Sequence, residues 1–417
     1  MTRARFATVV ALLMTWWIGA VGYGQHTYEA FDVDHPAIGY HTTSPTDPVA
    51  VLNRELQAGD RQLRFDGPRG YLTSLLTALE IPVESQLAVY SKTSLQSARI
   101  SPRNPRVIFF NDSTAVAWVP GGFIEVAAHD PRQGAMFYVL PQTPVAVPQL
   151  ARDARCLSCH LSTAAEGVPG FFVRSIPTAA DGTTIPWLGN YTTDHRSPVR
   201  DRWGGWYVTA NHDPGPHLGN ALIPDPNARE LPPWNPRGHA TTLRGVNAEI
   251  YPSPHSDIVA FLVFDHQARM MNLLTRIGWE ARVNAQGANT QDELEASARE
   301  LVDYLMFIDE APLDGVAGTS GFAERFAARG PRDRKGRSLR DLDLQRRLMR
   351  YPFSYMIYSE VFDALPADAK DAIYRRVWQI LSGQESSPRY LRVSGEDRRA
   401  IRDILRDTKP GLPAYFR

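Results

Sequence analysis

The chain has 417 residues, and its 45 basic and 45 acidic side chains leave no formal net charge. This balance gives no indication of the strongly basic surface that nucleic-acid-binding proteins present. The length is typical of roughly two to three domains, and an apolar content of 43% is enough to form buried cores. The 32 prolines and 30 glycines predict long, shaped loops.

The N-terminus has the pattern of a secretory signal. Arg3 and Arg5 form a short basic region, an apolar run follows over residues 6–21, and small residues come next, as far as Gly24. The apolar run is too short for a comfortable membrane span. We therefore expect a signal peptide over residues 1–24, a periplasmic or otherwise exported protein, and no membrane span after cleavage. An uncleaved anchor is the alternative.

The next part of the chain changes from irregular to strand-like. Residues 26–60 are polar and interrupted by prolines, so we expect them to be irregular. Leucines at helical spacing predict a helix over 71–82. Between residues 106 and 140, four short runs rich in Val, Ile, Phe and Tyr are separated by turn sequences, which predicts antiparallel strands. We predict a β-rich N-terminal region over residues 25–145.

Helices are predicted in the last part of the chain. After two further strands at 170–176 and 204–212 comes a proline-rich connection over 213–238. The sequence from 256 to 282 is apolar nearly all round at first, which predicts a central buried helix. The region 246–417 is therefore expected to be helical, and the fold class to be α+β.

Five further helices are predicted in this region. They cover 292–309, 339–351 and 353–365, a segment opened by Pro366 and ended by Gly383, and a last segment whose start has a capping-box-like pair, Ser394 and Asp397.

Both cysteines of the chain lie in "RCLSCH", as Cys156 and Cys159, with His160 directly behind them. A disulfide between them would close so small a loop that it would remove little chain entropy. A thioredoxin-like redox pair would need a βαβ setting, and a zinc site would need four ligands. His212 and His217 have suitable spacing for zinc, but they would leave His160 unexplained.

Covalent haem attachment through C-x-x-C-H accounts for both cysteines, their spacing and the adjacent His160. It also agrees with export, because c-type haem is attached outside the cytoplasm. The redox pair, a metal site and chance remain as alternatives. The residues 150–156 suit a short helix that leads into the motif, which would present both thiols and the imidazole on neighbouring turns.

The stretch resembles the haem-binding motif of c-type cytochromes. More widely, the segments 89–112, 191–212 and 348–366 resemble a family of large exported bacterial proteins that carry a single cytochrome-c-like site, and the likeness extends from about Leu87 to Pro410. The resemblance implies one covalent heme c and no particular substrate.

By this resemblance, Cys156 and Cys159 would hold the haem and His160 would be the proximal iron ligand. The cytochrome-c-like region would span 146–245.

The ligand on the other side of the iron separates an electron carrier from a catalyst. We favour His217, in the loop "NHDPGPHLGN", and then His266, which shares an apolar helix face with Met270. The loop residues His195 and His212 are further candidates. Each of these histidines has the alternative interpretation of an ordinary hydrogen-bonded residue.

Arginines and aromatic residues follow the motif closely. The arginines could pair with haem propionates or could be exposed loop residues: Arg174, Arg196, Arg200 and Arg202. The aromatic residues could form a wall of the haem pocket or could be ordinary core: Trp203, Trp206 and Tyr207.

Electron transfer is the first functional expectation, because the chain has a single C-x-x-C-H and no second cofactor motif. The expected partner is a redox protein or a small electron donor or acceptor, and no nucleic acid. The alternative is a haem enzyme, peroxidase- or oxygenase-like, with an open distal iron position. A haem-based sensor is a third possibility.

Overall fold

The computed structural model describes residues 29–231, 240–288 and 291–416. The expected signal peptide over 1–24 lies outside these residues, as does the last part of the predicted connection 213–238. No helix in the described part of the chain is long and apolar enough to cross a membrane.

A seven-stranded antiparallel sheet forms the centre of the N-terminal half, and a two-stranded sheet follows it. The strands are β1 (Leu87–Val89), β2 (Arg106–Phe110), β3 (Thr114–Trp118), β4 (Ile124–Asp130), β5 (Gly134–Leu140), β6 (Ala151–Arg152), β7 (Val173–Ser175), β8 (Tyr191–Thr193) and β9 (Trp206–Tyr207). The order in the large sheet is β6-β5-β4-β3-β2-β1-β9, and β7 pairs with β8. The strands predicted between 106 and 140 are confirmed as β2 to β5.

The helices of the described residues lie mostly in the C-terminal half. They are α1 (Pro48–Ala58), α2 (Leu72–Ala78), α3 (Leu157–His160), α4 (Ile258–Val283), α5 (Gln291–Leu305), α6 (Phe322–Ala328), α7 (Glu360–Asp363), α8 (Ala367–Ser382) and α9 (Gly395–Thr408). The fold is therefore mixed, with its sheet in the N-terminal half and helices mainly after it, as the sequence predicted.

Both faces of the large sheet are buried, each in a different hydrophobic cluster. In β3, Val116 and Trp118 point into the cluster formed with α1 and α2. The alternate residues Ala115 and Ala117 point into a second cluster, which contains α4, α5, α8 and α9. Because side chains alternate along a strand, one sheet joins two layers of helices. The second cluster therefore connects the N-terminal strands with the C-terminal helices in one core.

The long helix α4 is buried on nearly all sides, as its apolar sequence predicted. It packs against strand β5 on one side and against α5 and α8 on others. Asp257 begins it, since its Oδ1 accepts the Val259 backbone N–H at 2.7 Å. The predicted boundaries of α8 and α9 are also confirmed: Gly383 ends α8 in the left-handed conformation, and Ser394 caps α9.

The expectation that residues 26–60 are irregular is wrong, because α1 lies within them. The local signals were present. Asp47 accepts the backbone N–H groups of Val49 and Ala50, Pro48 stands in the first turn, and Gly59 ends the helix at φ 81°. An aspartate before a proline and a glycine after the last turn are ordinary helix boundaries.

The helix predicted over 339–351 is also absent, and the segment forms a tight loop instead. The backbone N–H of Asp343 donates to the Leu348 carbonyl at 3.0 Å, and Leu344 has a φ of 59°. The helix predicted over 353–365 is broken into a 3-10 turn at Tyr355–Tyr358 and the short α7. Ser359 ends the first and caps the second, since its Oγ accepts the Phe362 N–H.

Candidate functional site

The two cysteines and His160 lie on one short helical segment directly after the edge strand β6. A 3-10 turn over Ala154–Cys156 continues into α3. The helix expected from residue 150 therefore starts only at Ala154, because residues 151 and 152 pair with β5. The spacing of three and four residues places Cys156, Cys159 and His160 on adjacent turns of this segment.

The imidazole of His160 has one engaged and one available nitrogen. Its Nδ1 lies 2.9 Å from the carbonyl oxygen of Gly170, which can only accept, so Nδ1 carries the proton. Among the described residues no group is hydrogen-bonded to Nε2. Burial lowers the pKa of His160, so the ring is neutral. A neutral imidazole held at Nδ1 by a carbonyl presents Nε2 as a metal ligand.

Two phenylalanine rings hold the imidazole of His160 from different parts of the chain. The Phe137 ring from β5 lies 4.9 Å from it, centroid to centroid, and the Phe172 ring lies 5.7 Å from it. The loop that carries Gly170 is itself held by Asn272 of α4, whose Nδ2 donates to the Phe171 carbonyl at 3.1 Å. The sheet, the loop and α4 together fix the ring.

Both thiols are free of a disulfide. Cys156 is half-buried and Cys159 is exposed. Burial raises the pKa of Cys156 to about 11, and the carboxylates of Asp153 and Glu125 add to this rise. Reactive redox cysteines have a lowered pKa, and β6 lies in an antiparallel sheet rather than a βαβ unit. The structure therefore does not favour thiol–disulfide exchange.

A charged pair lies on the sheet near this segment. The Arg106 Nε and Glu125 Oε2 atoms are 2.8 Å apart, and Ser94 donates to Glu125 at 3.2 Å. Both charges act on His160: Arg106 lowers its pKa and Glu125 raises it. Sequence reasoning missed this pair and Gly170, because no local pattern tells which strand or carbonyl will face the motif.

In the described part of the chain, no group of three or more His, Cys, Asp or Glu side chains is placed to hold a metal ion. A structural zinc site needs four ligands, so the cysteine pair receives no further zinc ligands there. Haem makes a smaller demand on the protein, since two thiols and one imidazole suffice on the proximal side. Cys156, Cys159 and His160 supply groups of these three kinds on one segment.

The two favoured distal candidates are both buried and both engaged in hydrogen bonds. In His266 of α4, Nδ1 lies 2.8 Å from Nδ1 of His195, and Nε2 lies 2.7 Å from Ser354 Oγ. His217 accepts the Gly219 N–H at 3.0 Å through Nδ1. With both ring nitrogens engaged, His266 has no lone pair left for iron in this arrangement.

The two further histidine candidates differ in burial and in their contacts. His195 is buried and stacks on the Tyr304 ring at 4.1 Å. His212 is exposed, and its backbone N–H donates to the carbonyl of Ala317. The structure brings His195 and His266 together as a buried pair and places His212 outside that pair.

Of the four candidate arginines, one is buried, one is half-buried and two are exposed. Arg202 is buried and lies 3.6 Å from Asp265, and Arg196 binds Asp194 at 2.8 Å. The exposed ones are Arg174, which donates to Asn190, and Arg200. Arg202 and Arg196 are thus engaged by protein carboxylates, and Arg200 lies 3.8 Å from Asp201.

The candidate aromatic residues belong to the packing of the core. Trp203 is buried and its Nε1 donates to Asp265 at 3.2 Å. Trp206 packs edge-on against Phe261 of α4 at 5.3 Å, and the Tyr207 hydroxyl donates to a backbone carbonyl. These contacts describe ordinary core packing.

Comparisons with protein-family models, with curated proteins and with solved structures found no significant match to this chain. The site is therefore interpreted from its own residues.

Proposed function

We propose that this chain is an exported c-type cytochrome-like protein that binds one covalent haem and transfers electrons. The observation that carries the proposal is the segment from Cys156 to His160. It combines two free thiols at C-x-x-C spacing with an imidazole whose Nδ1 is held by the Gly170 carbonyl and whose Nε2 has no hydrogen-bond partner among the described residues.

Each residue of this segment has a defined part in the proposal. Cys156 and Cys159 would hold the porphyrin covalently, and Nε2 of His160 would bind the iron. The Gly170 carbonyl fixes the tautomer and the orientation of that ring. When bound, the haem supplies a one-electron redox centre.

The exposure of the segment supports an electron carrier. Cys159 is exposed, and Cys156 and His160 are only half-buried. A haem attached there would have an edge within reach of a redox partner or of a small electron donor or acceptor.

A haem enzyme with an open distal position is the second candidate. The engagement of both His266 nitrogens favours it over a carrier closed by that histidine.

Absorption spectra separate these candidates. The chain would be produced in a host that attaches c-type haem and measured in the ferric, reduced and CO-treated forms. A c-type spectrum that CO does not change is expected for a carrier with both axial positions filled. A high-spin ferric spectrum with rapid CO binding would instead establish the enzyme-like open iron. A protein without haem would overturn both.

Variants of the segment test the residue roles. The double variant Cys156→Ala, Cys159→Ala should lose all haem that resists acid extraction, while its far-ultraviolet circular dichroism stays that of the wild type. His160→Ala should keep covalent haem but lose the wild-type ferric spectrum. Ser158→Ala is the matched control, because Ser158 lies between the cysteines, is exposed and donates only to local groups. Covalent haem in the double variant would contradict the assignment.

A further inference from the structure

We propose that a cavity between the end of α5 and the start of α9 binds a small organic anion. The cavity has a volume of about 490 Å³. None of its lining residues belongs to the cysteine segment or to the loop after it, so this is a second site beyond the proposed function. Its walls come from the turn after α5, the loop that replaces the predicted helix over 339–351, and the first turn of α9.

Four arginines line the cavity, and they are engaged to different degrees. Arg347 is paired with Asp397 at 3.1 Å, and Arg392 donates to the backbone carbonyl of Glu310 at 3.1 Å. Arg346 lies 3.7 Å from Asp343 with 79% of its side chain exposed. Arg350 stacks over its neighbouring tyrosine ring and has no carboxylate partner among the described residues.

An anion in the cavity would therefore contact guanidinium groups that still have N–H donors available. Such groups bind carboxylate and phosphate oxygens in pairs.

Four apolar residues, here called the floor, belong to the otherwise polar lining of the cavity: Met306, Phe307, Pro352 and Val393, all of them buried. The Phe307 ring stacks in turn on the His266 ring at 4.3 Å, which fixes its position. An inorganic ion would leave this floor uncovered, whereas a molecule with an apolar body and one anionic group would cover both parts. The cavity thus fits an organic anion better than a bare one.

A buried carboxyl supplies an independent sign of a ligand. Glu310 lines the cavity and is only 7% exposed. Its Oε1 accepts the Leu348 N–H at 2.8 Å, and its other oxygen has no hydrogen-bond partner among the described residues. Burial raises the pKa of Glu310 to about 7. Near neutral pH, this carboxyl is therefore protonated in a large fraction of the molecules. The protonated carboxyl can donate a hydrogen bond to an oxyanion. This bond would supply the partner that a buried polar group normally has.

The start of α9 also lies at the cavity. Ser394 caps this helix of 14 residues and lines the cavity. The first turn of α9 carries Glu396 and Asp397, whose charges oppose the partial positive charge of the helix end. The arginines and the carboxyl donor therefore carry the preference for a ligand with a carboxylate or phosphate group on an apolar body.

Isothermal titration calorimetry with the full mature protein tests this site. Benzoate, succinate and inorganic phosphate are the probes, at pH 6.5. We expect saturable binding of benzoate, with phosphate weaker because it cannot use the floor. The double variant Arg346→Gln, Arg350→Gln should weaken benzoate binding roughly tenfold or more. Glu310→Ala, which removes the carboxyl donor, should also weaken benzoate binding.

Arg399→Gln is the matched control, because Arg399 is an exposed arginine of the same helix α9 outside the cavity lining. It should leave the dissociation constant unchanged. Saturation by none of the probes, or equal affinity of the wild type and the double arginine variant, would overturn the proposal. Phosphate binding as tight as benzoate binding would overturn the claim that the apolar floor favours an organic anion. Binding should persist in the Cys156→Ala, Cys159→Ala variant, so this test is independent of haem.

Discussion

The histidine beside the cysteines and the histidine pair around α4 are chemically alike but placed in opposite ways. His160 lies on a half-exposed segment and keeps one nitrogen unbonded among the described residues. His195 and His266 are 2% and 0% exposed, and they are bonded to one another. His160 can therefore bind a ligand, whereas the His195–His266 pair holds parts of the chain together.

The two regions also differ in how many charged groups surround the histidines. Near His160 the sheet offers aromatic rings and one ion pair. Around α4, by contrast, Arg202 faces Asp265, and Arg269 contacts Asp194 at 3.5 Å. Such buried charges are tolerated because they compensate one another. Titratable residues in a loop after a C-x-x-C-H motif are therefore not evidence of a cofactor pocket until their partners are known.

The largest effect should come from breaking the buried charge pair. Asp265 is fully buried and accepts from Thr193 and Trp203 besides facing Arg202. Asp265→Ala leaves the Arg202 charge without its carboxylate, so we expect a loss of about 3–5 kcal/mol in the free energy of unfolding. Urea unfolding followed by circular dichroism measures it.

Asp201→Ala is the control for this variant. Its carboxylate lies 3.8 Å from the exposed Arg200, and surface pairs of this kind contribute about 0–1 kcal/mol. Equal losses in the two variants would mean that the cluster around α4 is no more important to stability than the surface. The covalent haem content of both variants should match the wild type.

Local patterns predicted the parts of this molecule that local forces determine. The short apolar runs between 106 and 140 predict strands, and they are largely apolar throughout because both faces of this sheet are buried. Pro366 and Gly383 bound α8 as their backbone preferences require. The helix predicted over 339–351 failed because the two aspartates there bind nearby backbone N–H groups, which competes with helix formation.

The same distinction holds for the site. The cysteine spacing and His160 were visible because they lie within five residues of sequence. The partner of His266 was not visible in the sequence, because His195 is 71 positions away. No periodicity in the sequence encodes such a contact.

A smaller effect should appear as a dependence of stability on pH. The pKa of Glu310 is raised from 4.5 to about 7, first by burial, while the Leu348 N–H and the charges of Arg392, Arg202 and Arg347 lower it. The folded state therefore holds this proton more tightly than the unfolded state. The stabilisation is complete below about pH 4.5 and is lost as the pH rises through 7.

The variant Glu310→Gln should remove this part of the pH dependence. Between pH 5 and 8, the difference in unfolding free energy between wild type and variant should change by roughly 2.5 kcal/mol. Urea unfolding at several pH values measures it. Glu396 is an exposed carboxyl at the same cavity. Glu396→Gln should keep the wild-type slope of unfolding free energy against pH. A slope in Glu310→Gln identical to that of the wild type would show that this carboxyl is already ionised at pH 5.

The smallest effect tests the comparison of the histidines directly. His266→Gln removes the ring that joins His195 to Ser354, and it leaves buried polar groups with poorer partners. We expect a loss of about 2 kcal/mol in unfolding free energy. The absorption spectra of the folded variant, ferric and reduced, should equal those of the wild type, because a ring with both nitrogens engaged by the chain has no lone pair for iron. A change of the ferric spectrum from low-spin to high-spin would instead make His266 a distal ligand. The two regions contrasted above would then be parts of a single site.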